Sequence, residues 1–208
     1  MKDIFRFAIT LTVVALSAAG SLVWINSITK PKIRLQQENV LTEALAYVLG
    51  GSEKGVIEPV QENGEIVYYK GFRDKDKTAL IGYAFLVPCQ GYSSTIQTLV
   101  AIDSSGAILA VKILSQQETP GLGTRCEEIL SGESDPWWQR QFVGQNGSEV
   151  AVDKDGGPIR AITGATITSR AVTNGIASRT RYLLEKIRCT SDEQRTLQND
   201  IIGGSHGR

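Results

Sequence analysis

The segment Arg160–Val172, RAITGATITSRAV, places three threonines and a serine around one Gly-Ala pair, just before a helical pattern begins. The N-terminus of a helix carries a partial positive charge and unpaired N–H groups, which suit a phosphate. Thr168 or Ser169 can cap a helix that begins near Arg170. A cap alone needs one hydroxyl, which leaves the others unexplained. The pattern therefore favours a phosphate site, without choosing the hydroxyl that contacts it.

Two other loops could lie beside such a site. The loop QQETPGLGTR (Gln116–Arg125) contains Gly121 and Gly123, which permit close approach of the backbone to a ligand. Leu122, between these glycines, could lie against a flat apolar ligand or fill the core, and the sequence leaves both interpretations open. The loop PCQGYSST (Pro88–Thr95) offers hydroxyl donors, but its composition is that of an ordinary turn between strands.

Side-chain sets for acid–base or nucleophilic catalysis are missing from the sequence. The single His, His206, lies in a Gly-rich tail, so a Ser-His-Asp triad cannot form. Carboxylates such as Glu118, Glu127 and Glu128 show no pairing as acid and base. The sequence therefore gives no support to a hydrolase function.

Cysteine content and charge exclude further classes. Cys89, Cys126 and Cys189 lack CxxC spacing, which together with the single His argues against a zinc or other metal site. A Cys89–Cys126 disulfide and three free thiols are both compatible with the sequence. The chain has 22 basic and 22 acidic side chains, and this balance argues against a nucleic-acid partner.

An apolar run opens the chain. Between Phe5 and Ile28 the only charge is Arg6, and a span of about 20 residues is enough to cross a bilayer as a helix. An uncleaved anchor is favoured over a signal peptide or a buried helix, because apolar residues continue beyond the small residues SAAGS. Pro31 is expected to separate this span from a new helix that ends at Gly50-Gly51. Basic residues flank both ends, so charge does not decide the orientation.

The pattern then changes to the period of two that is typical of strands. Four strands are predicted, at Gly64–Phe72, Ala79–Pro88, Thr95–Asp103 and Ala107–Leu114. The tight turn DSSG should join the last two as a hairpin. A mixed helical region broken by Pro136 and a C-terminal helix follow. The predicted fold class is α+β: a single N-terminal transmembrane helix, then one soluble domain with an antiparallel sheet flanked by helices. The expected parts are the anchor (1–30), the domain (31–189) and a disordered tail (190–208).

Three motifs resemble the FMN-binding domain family. TGATITS (Thr163–Ser169) is similar to the flavinylation motif of that family, ETPGLG (Glu118–Gly123) to a second hallmark and GYSSTI (Gly91–Ile96) to a third, in the family's order and spacing. With the N-terminal anchor, the likeness is greatest to the G-subunit family of Rnf ion-translocating electron transport complexes. The C subunits of sodium-pumping NADH:quinone oxidoreductases are near relatives. Departures occur at Arg160, where many members are acidic, and at Gln116 and Gln117, where many have a His.

The resemblance implies a cofactor and the residues that hold it. The last Thr of the motif, Thr168, would be esterified by the phosphate of FMN, in a bond made by a separate flavin transferase that uses FAD. The other residues implied in cofactor binding are those of the two motifs: Thr163, Gly164, Ala165 and Thr166 around the phosphate, and Glu118, Thr119, Gly121 and Leu122 near the isoalloxazine ring.

The resemblance also implies a function. The chain would be a flavoprotein subunit on the outer face of the cytoplasmic membrane, relaying electrons between NADH and ferredoxin with the other membrane subunits of an Rnf-type complex. It would act as a redox subunit of a translocase and would not catalyse alone. Two alternatives stay open: a subunit of a related flavinylated chain of the quinone-reductase type, and an anchored interaction domain without redox function.

Overall fold

The computed structural model describes residues 2–49 and 55–203, with side chains described for residues 4–49 and 55–189. The chain divides into two compact units, residues 1–43 and 44–208. Helix α1 (Lys2–Val48) crosses this division. The second unit contains five strands, β1 (Val56–Glu62), β2 (Glu65–Phe72), β3 (Leu80–Gln90), β4 (Thr95–Ile102) and β5 (Ile108–Ser115), and the helices α2 (Trp137–Arg140) and α3 (Thr166–Gly203).

The first unit is one continuous stretch of helix whose apolar side chains are exposed. Phe7, Leu11 and Trp24, for example, are about 70% exposed. Within the described residues, α1 is the one helix that is long and apolar enough to cross a membrane. Exposed apolar residues on every face are what a lipid-facing helix requires, because lipid takes the place of a protein core.

The predicted break at Pro31 is wrong. Helix α1 contains Pro31 in its interior and continues to Val48. A proline removes one backbone hydrogen bond, and a long helix can bend at that point without ending. The structural division also falls after Glu43, thirteen residues beyond the expected end of the anchor at residue 30. The predicted stop at Gly50-Gly51 lies outside the described residues.

The sheet is an antiparallel meander in the order β1-β2-β3-β4-β5, as the predicted fold class requires. The four predicted strands are confirmed as β2 to β5, with ends shifted by a few residues. The DSSG hairpin is confirmed as well: the Asp103 carboxylate accepts hydrogen bonds from the N–H groups of Ser105 (2.8 Å) and Ala107 (2.9 Å), and β4 pairs with β5.

Strand β1 was not predicted from the sequence. It carries Pro59, which cannot donate to a ladder and is tolerated at the edge of a sheet, where β1 lies. The turn to β2 is Asn63-Gly64, with φ values of 52° and 85°. Two positive φ values are typical of a type I′ hairpin turn, for which Asn-Gly is the preferred pair.

Helix α3 packs on the sheet against β3 and β4, and it sets the position of the loop that precedes it. The approach is close: a Cβ added to Gly175 would lie 2.3 Å from the Sγ of Cys89 on β3. The core beneath α3 is built from large apolar side chains of the sheet, the connecting segments and the helix, which include Phe85, Ile96, Val100, Trp138, Phe142, Val172 and Ile176.

The predicted disordered tail is replaced by helix over its described part. The backbone of α3 continues through residues 190–203. Polar composition was the basis for the prediction, and polar residues such as Glu and Gln are also good helix formers that extend an existing helix at low cost. Residues 204–208, including His206, lie outside the described residues.

Candidate functional site

The three loops singled out in the sequence meet at one cavity of about 580 Å³. Its volume falls within the range of small-molecule sites in proteins. Loop 88–95 connects β3 to β4, loop 116–125 follows β5, and the motif 163–169 leads into α3. The cavity is lined by Tyr92, Glu118, Thr119, Leu122, Gly123, Gly164, Ala165, Thr166, Ile167 and Thr168.

A tight turn delivers the chain into α3. The N–H of Ala165 donates to the carbonyl of Ile162 (2.9 Å), and Gly164 has a φ of 80°. A positive φ at the third residue of a turn favours glycine. A Cβ at Gly164 would also lie 2.9 Å from a methyl group of Leu122. Gly164 is therefore needed both for the turn and for its contact with the neighbouring loop.

Helix α3 begins at Thr166, four residues before the predicted start at Arg170. The helix follows directly after the turn at Gly164, so the hydroxyls of Thr166, Thr168 and Ser169 fall inside its first turn. The prediction that Thr168 or Ser169 caps the helix is wrong, because both residues lie inside α3. The Oγ of Ser169 accepts a hydrogen bond from the N–H of Ile162 (2.9 Å) and donates to the carbonyl of Ala165 (3.0 Å). Ser169 thereby ties the motif loop to the helix.

Thr168 is the motif hydroxyl with a specific partner across the cavity. The side chain is only 1% exposed, and its Oγ1 donates a hydrogen bond of 2.6 Å to Oε2 of Glu118. The two residues are fifty positions apart in the chain. The N–H groups of the first turn of α3 have no acceptor within the helix, because each would need a carbonyl one turn earlier. Thr168 therefore places a hydroxyl group at a helix N-terminus.

Glu118 is a buried carboxylate held by loop 88–95. Oε2 accepts the N–H of Tyr92 (3.1 Å), while Oε1 accepts the N–H groups of Ser93 (3.1 Å) and Ser94 (3.0 Å) and the hydroxyl of Ser94 (3.1 Å). Burial raises the pKa of Glu118, but the hydrogen bonds from Thr168 and the loop outweigh it, so the pKa lies below its ordinary value. The group is therefore ionised at neutral pH, and Glu118 takes part in none of the ion pairs of the described side chains.

Two glycines leave room for the Glu118 side chain. A Cβ at Gly91 would lie 2.5 Å from Oε1 of Glu118, and a Cβ at Gly123 would lie 2.6 Å from its Cβ. Any other residue at either position would push the carboxylate away from its partners. Gly91 and Gly123 thus allow the backbone of their two loops to approach the Glu118 side chain closely.

The rim of the cavity is apolar. Leu122 is 43% exposed and Ile167 is 55% exposed, and both line the cavity. The two interpretations of Leu122 are therefore resolved: it lies at the surface of the cavity instead of filling the core. Tyr92, 68% exposed, is a lining residue that was not predicted from the sequence. The signal that could have found it is its place in GYSST, next to the predicted hydroxyl donors.

Two predicted residues lie apart from this cavity. Thr163 lines a smaller neighbouring cavity of about 210 Å³ together with Arg125, Leu130, Trp137, Arg160 and Ala161. Gly121 has a φ of 75°, and its N–H donates to the hydroxyl of Thr124 (3.0 Å), so its role is to shape the loop. Thr119 supports the same loop through its carbonyl, which accepts the N–H of Leu122 at 3.1 Å.

The remaining candidate groups have structural partners. Glu127 accepts a hydrogen bond from Gln116 (2.7 Å), and Glu128 accepts from both Arg125 (2.9 Å) and the indole of Trp137 (3.1 Å). Among the side chains that the structure describes, no His, Cys, Asp or Glu cluster could hold a metal ion.

All three cysteines are free thiols in the structure. Burial raises the pKa of Cys89 to about 11 and that of Cys126 to about 12, and the carboxylates of Glu127 and Glu118 add to the latter shift. Both thiols therefore stay protonated at neutral pH and act as apolar core groups. Cys189 is exposed.

Comparison with known proteins gives two family matches in different parts of the chain. Residues 91–179 match the FMN-binding domain family, and residues 1–48 match the RnfG N-terminal region. The G subunit of the ion-translocating oxidoreductase complex of Salmonella typhi is 32% identical over 183 residues, covering 85% of this chain and 89% of the relative. Its namesake from Escherichia coli K12 is 34% identical over 185 residues, covering 85% and 89%. The chain belongs to the G-subunit family of ion-translocating oxidoreductase complexes.

The match to the family encloses the whole site. The FMN-binding domain match starts at Gly91 and ends within α3, so it contains every residue that lines the cavity. The N-terminal match covers helix α1. The crystal structure of Shewanella oneidensis NqrC is similar at 21% identity, covering 57% of this chain and 60% of that one, with a TM-score of 0.42.

Proposed function

We propose that this chain carries FMN in a phosphoester bond to Thr168 and relays electrons within an ion-translocating oxidoreductase complex. The observation that carries the proposal is the position of the Thr168 hydroxyl, in the first turn of α3 and at a cavity with an apolar rim. The family to which the chain belongs supports the same cofactor through its FMN-binding domain. The proposal joins a phosphate site to an apolar surface that a flat ring requires.

The residues of the cavity fit the two chemically different parts of FMN. The unpaired N–H groups at the start of α3 and the positive end of its helix dipole favour a phosphate beside Thr168. Gly164 and Ala165 present no bulky side chain in front of these groups. Leu122, Ile167 and Tyr92 supply the exposed apolar and aromatic surface against which a ring can pack.

FMN supplies electron transfer when it is bound, and the protein supplies its attachment and surroundings. A phosphoester leaves the ring chemically unchanged, so the residues near the ring determine its environment. Attachment also prevents loss of the cofactor from an open site. An electron carrier needs no catalytic triad or metal of its own.

The membrane arrangement completes the proposal. Helix α1 would anchor the chain as a single span and place the soluble domain on the extracytoplasmic side. Electrons would pass between NADH and ferredoxin through other membrane subunits of an Rnf-type complex. The ion path would lie in those subunits, because the segment from Ile9 to Ile25 contains no charged side chain.

The proposal is tested by flavin fluorescence after denaturing electrophoresis of the full chain co-produced with a flavin transferase. Wild-type chain should give a fluorescent band, and Thr168→Ala should give none. Thr173→Ala is the matched control, because Thr173 is a buried threonine of the same helix that does not line the cavity. A Thr168→Ala band as bright as that of wild type would refute the assignment of the acceptor.

A further inference from the structure

The contact between Glu118 and Thr168 bears on a proton transfer that cofactor attachment requires. Esterification of a threonine removes its hydroxyl proton, and some group must take that proton. In the structure the hydroxyl proton of Thr168 already points to Oε2 of Glu118 across 2.6 Å. This distance is at the short end of the range for O–H···O hydrogen bonds and is typical of a charged acceptor.

We propose that Glu118 is the proton acceptor for flavin attachment, so that the acceptor protein supplies its own base to the transfer reaction. This inference rests on the proposed attachment of FMN at Thr168. In the step, the Oγ1–H bond of Thr168 breaks and an Oγ1–P bond forms to the flavin-side phosphorus of a flavin adenine dinucleotide. The phosphoanhydride bond of that donor breaks, AMP leaves with the bonding electron pair, and the proton passes to Oε2 of Glu118.

The surroundings of Glu118 suit this role. Its backbone partners in loop 88–95 fix both oxygens, so Oε2 stays aimed at Thr168, and within the described part of the chain no ion pair competes for it. Loose phosphoryl-transfer transition states depend mainly on positioning and charge, and a carboxylate that accepts the hydroxyl proton of the nucleophile is a recurring part of such sites. Taking up the proton would also neutralise Glu118 while the phosphodiester forms, and a like charge nearby disfavours the charged form of a carboxyl group.

The other titratable groups around Glu118 do not offer an equivalent base. Cys126 lies close enough for Glu118 to contribute to its raised pKa of about 12, so its thiol stays protonated. Tyr92 donates its backbone N–H to Glu118 and lines the same cavity. Among the described hydrogen bonds, Glu118 is the carboxylate that contacts Thr168.

The decisive test compares Glu118→Gln with wild type in the rate of FMN attachment, using purified full chain, flavin transferase and FAD, with intact mass as the readout. The amide keeps the size of the carboxyl group but cannot take the proton. Loss of a general base typically costs about 10²–10⁴-fold in rate, and we expect a loss in this range. Glu118→Asp keeps a base that is set back from Oγ1, so its rate should lie between the two.

The pH dependence separates a proton acceptor from a residue that only holds the loops. In Glu118→Gln the proton must leave to solvent, so the rate ratio of wild type to variant should fall as the pH rises from about 6 to about 9. Using the same transferase for both proteins cancels its own pH dependence. Asp103→Asn is the matched control, because Asp103 also binds loop N–H groups but belongs to the β4–β5 turn. The Asp103→Asn variant should gain FMN at the wild-type rate.

The outcomes separate the two proposals. If wild type itself gains no FMN, the proposed function fails. If wild type is labelled and Glu118→Gln is labelled within twofold of its rate, Glu118 is not the proton acceptor, although Thr168 can still be the attachment site. A slowed Glu118→Gln whose ratio to wild type does not change with pH also overturns the inference, because it shows a purely structural role.

Discussion

Replacing Gly123 with Ala should move Glu118 while leaving the rest of the cavity in place. Gly123 does not have a positive φ, so Ala is compatible with the backbone there. The added Cβ would lie 2.6 Å from the Cβ of Glu118, and ordinary contacts begin at 3.4 Å. The two groups must therefore separate by about 0.8 Å. A displacement of this size along the hydrogen bond would lengthen the Glu118–Thr168 distance from 2.6 Å to about 3.4 Å.

The expected consequences differ for stability and for attachment. Overpacking of this kind costs about 1–3 kcal/mol in the free energy of unfolding. A misplacement of about 1 Å at reacting groups can cost on the order of 10²-fold in rate, so FMN attachment should slow by about that factor. The rate is measured as the initial increase of flavin-labelled mass with transferase and FAD, and stability is measured by urea denaturation.

The matched control is Gly71→Ala, which also overpacks against a side chain. Its added Cβ would lie 2.8 Å from a methyl group of Leu49. Gly71 pairs with Gly82 near the start of β3, whereas the loop that holds Glu118 follows the end of that strand. Gly71→Ala should therefore lose stability without slowing attachment. If folded Gly123→Ala is labelled as fast as folded Gly71→Ala, the geometry around Glu118 does not control attachment.

Two further predictions concern the fold that positions the site. Gly175→Ala, whose Cβ would lie 2.3 Å from Cys89 Sγ, should lower the free energy of unfolding by about 1–3 kcal/mol. Adding Cys89→Ala should recover part of that loss in a double-mutant cycle, and strictly additive effects would contradict the close packing of α3 on β3. Acid should also destabilise the chain. Burial raises the pKa of Asp103, but hydrogen bonds from the Ser105 hydroxyl and the turn N–H groups outweigh it and lower the pKa in the folded state. The stability that the Asp103 carboxylate contributes to the folded state is therefore present above the unfolded pKa and is lost as the pH falls below about 4. Asp103→Asn should flatten urea stability against pH in this range, and an unchanged slope would contradict the assignment.

Most of the sheet could be predicted from local sequence patterns. The period of two and the DSSG turn predict β2 to β5, because alternation and turn chemistry act over a few residues. Strand β1 escaped prediction because Pro59 interrupts its pattern, although Asn63-Gly64 marks the hairpin that follows. At Pro31 the opposite happened: a local helix-breaking signal was overridden within a long helix.

The site was predictable only in part, for a different physical reason. The motif indicated a phosphate at the start of a helix, and the resemblance selected Thr168 among four hydroxyls. The contact with Glu118 spans fifty residues and depends on how loops 88–95 and 116–125 pack together, which no local spacing encodes. The position of Thr163 could not be predicted from local spacing either, since its place in the neighbouring cavity follows from the turn at Gly164.

The most direct test of the central claim is the intact mass of the full chain purified after co-production with its transferase, followed by peptide mapping. We expect a mass gain of one FMN less one water, located on the peptide that contains Thr168 and absent from Thr168→Ala. A chain without the gain, or a gain located on another hydroxyl such as Thr166 or Ser169, would contradict it.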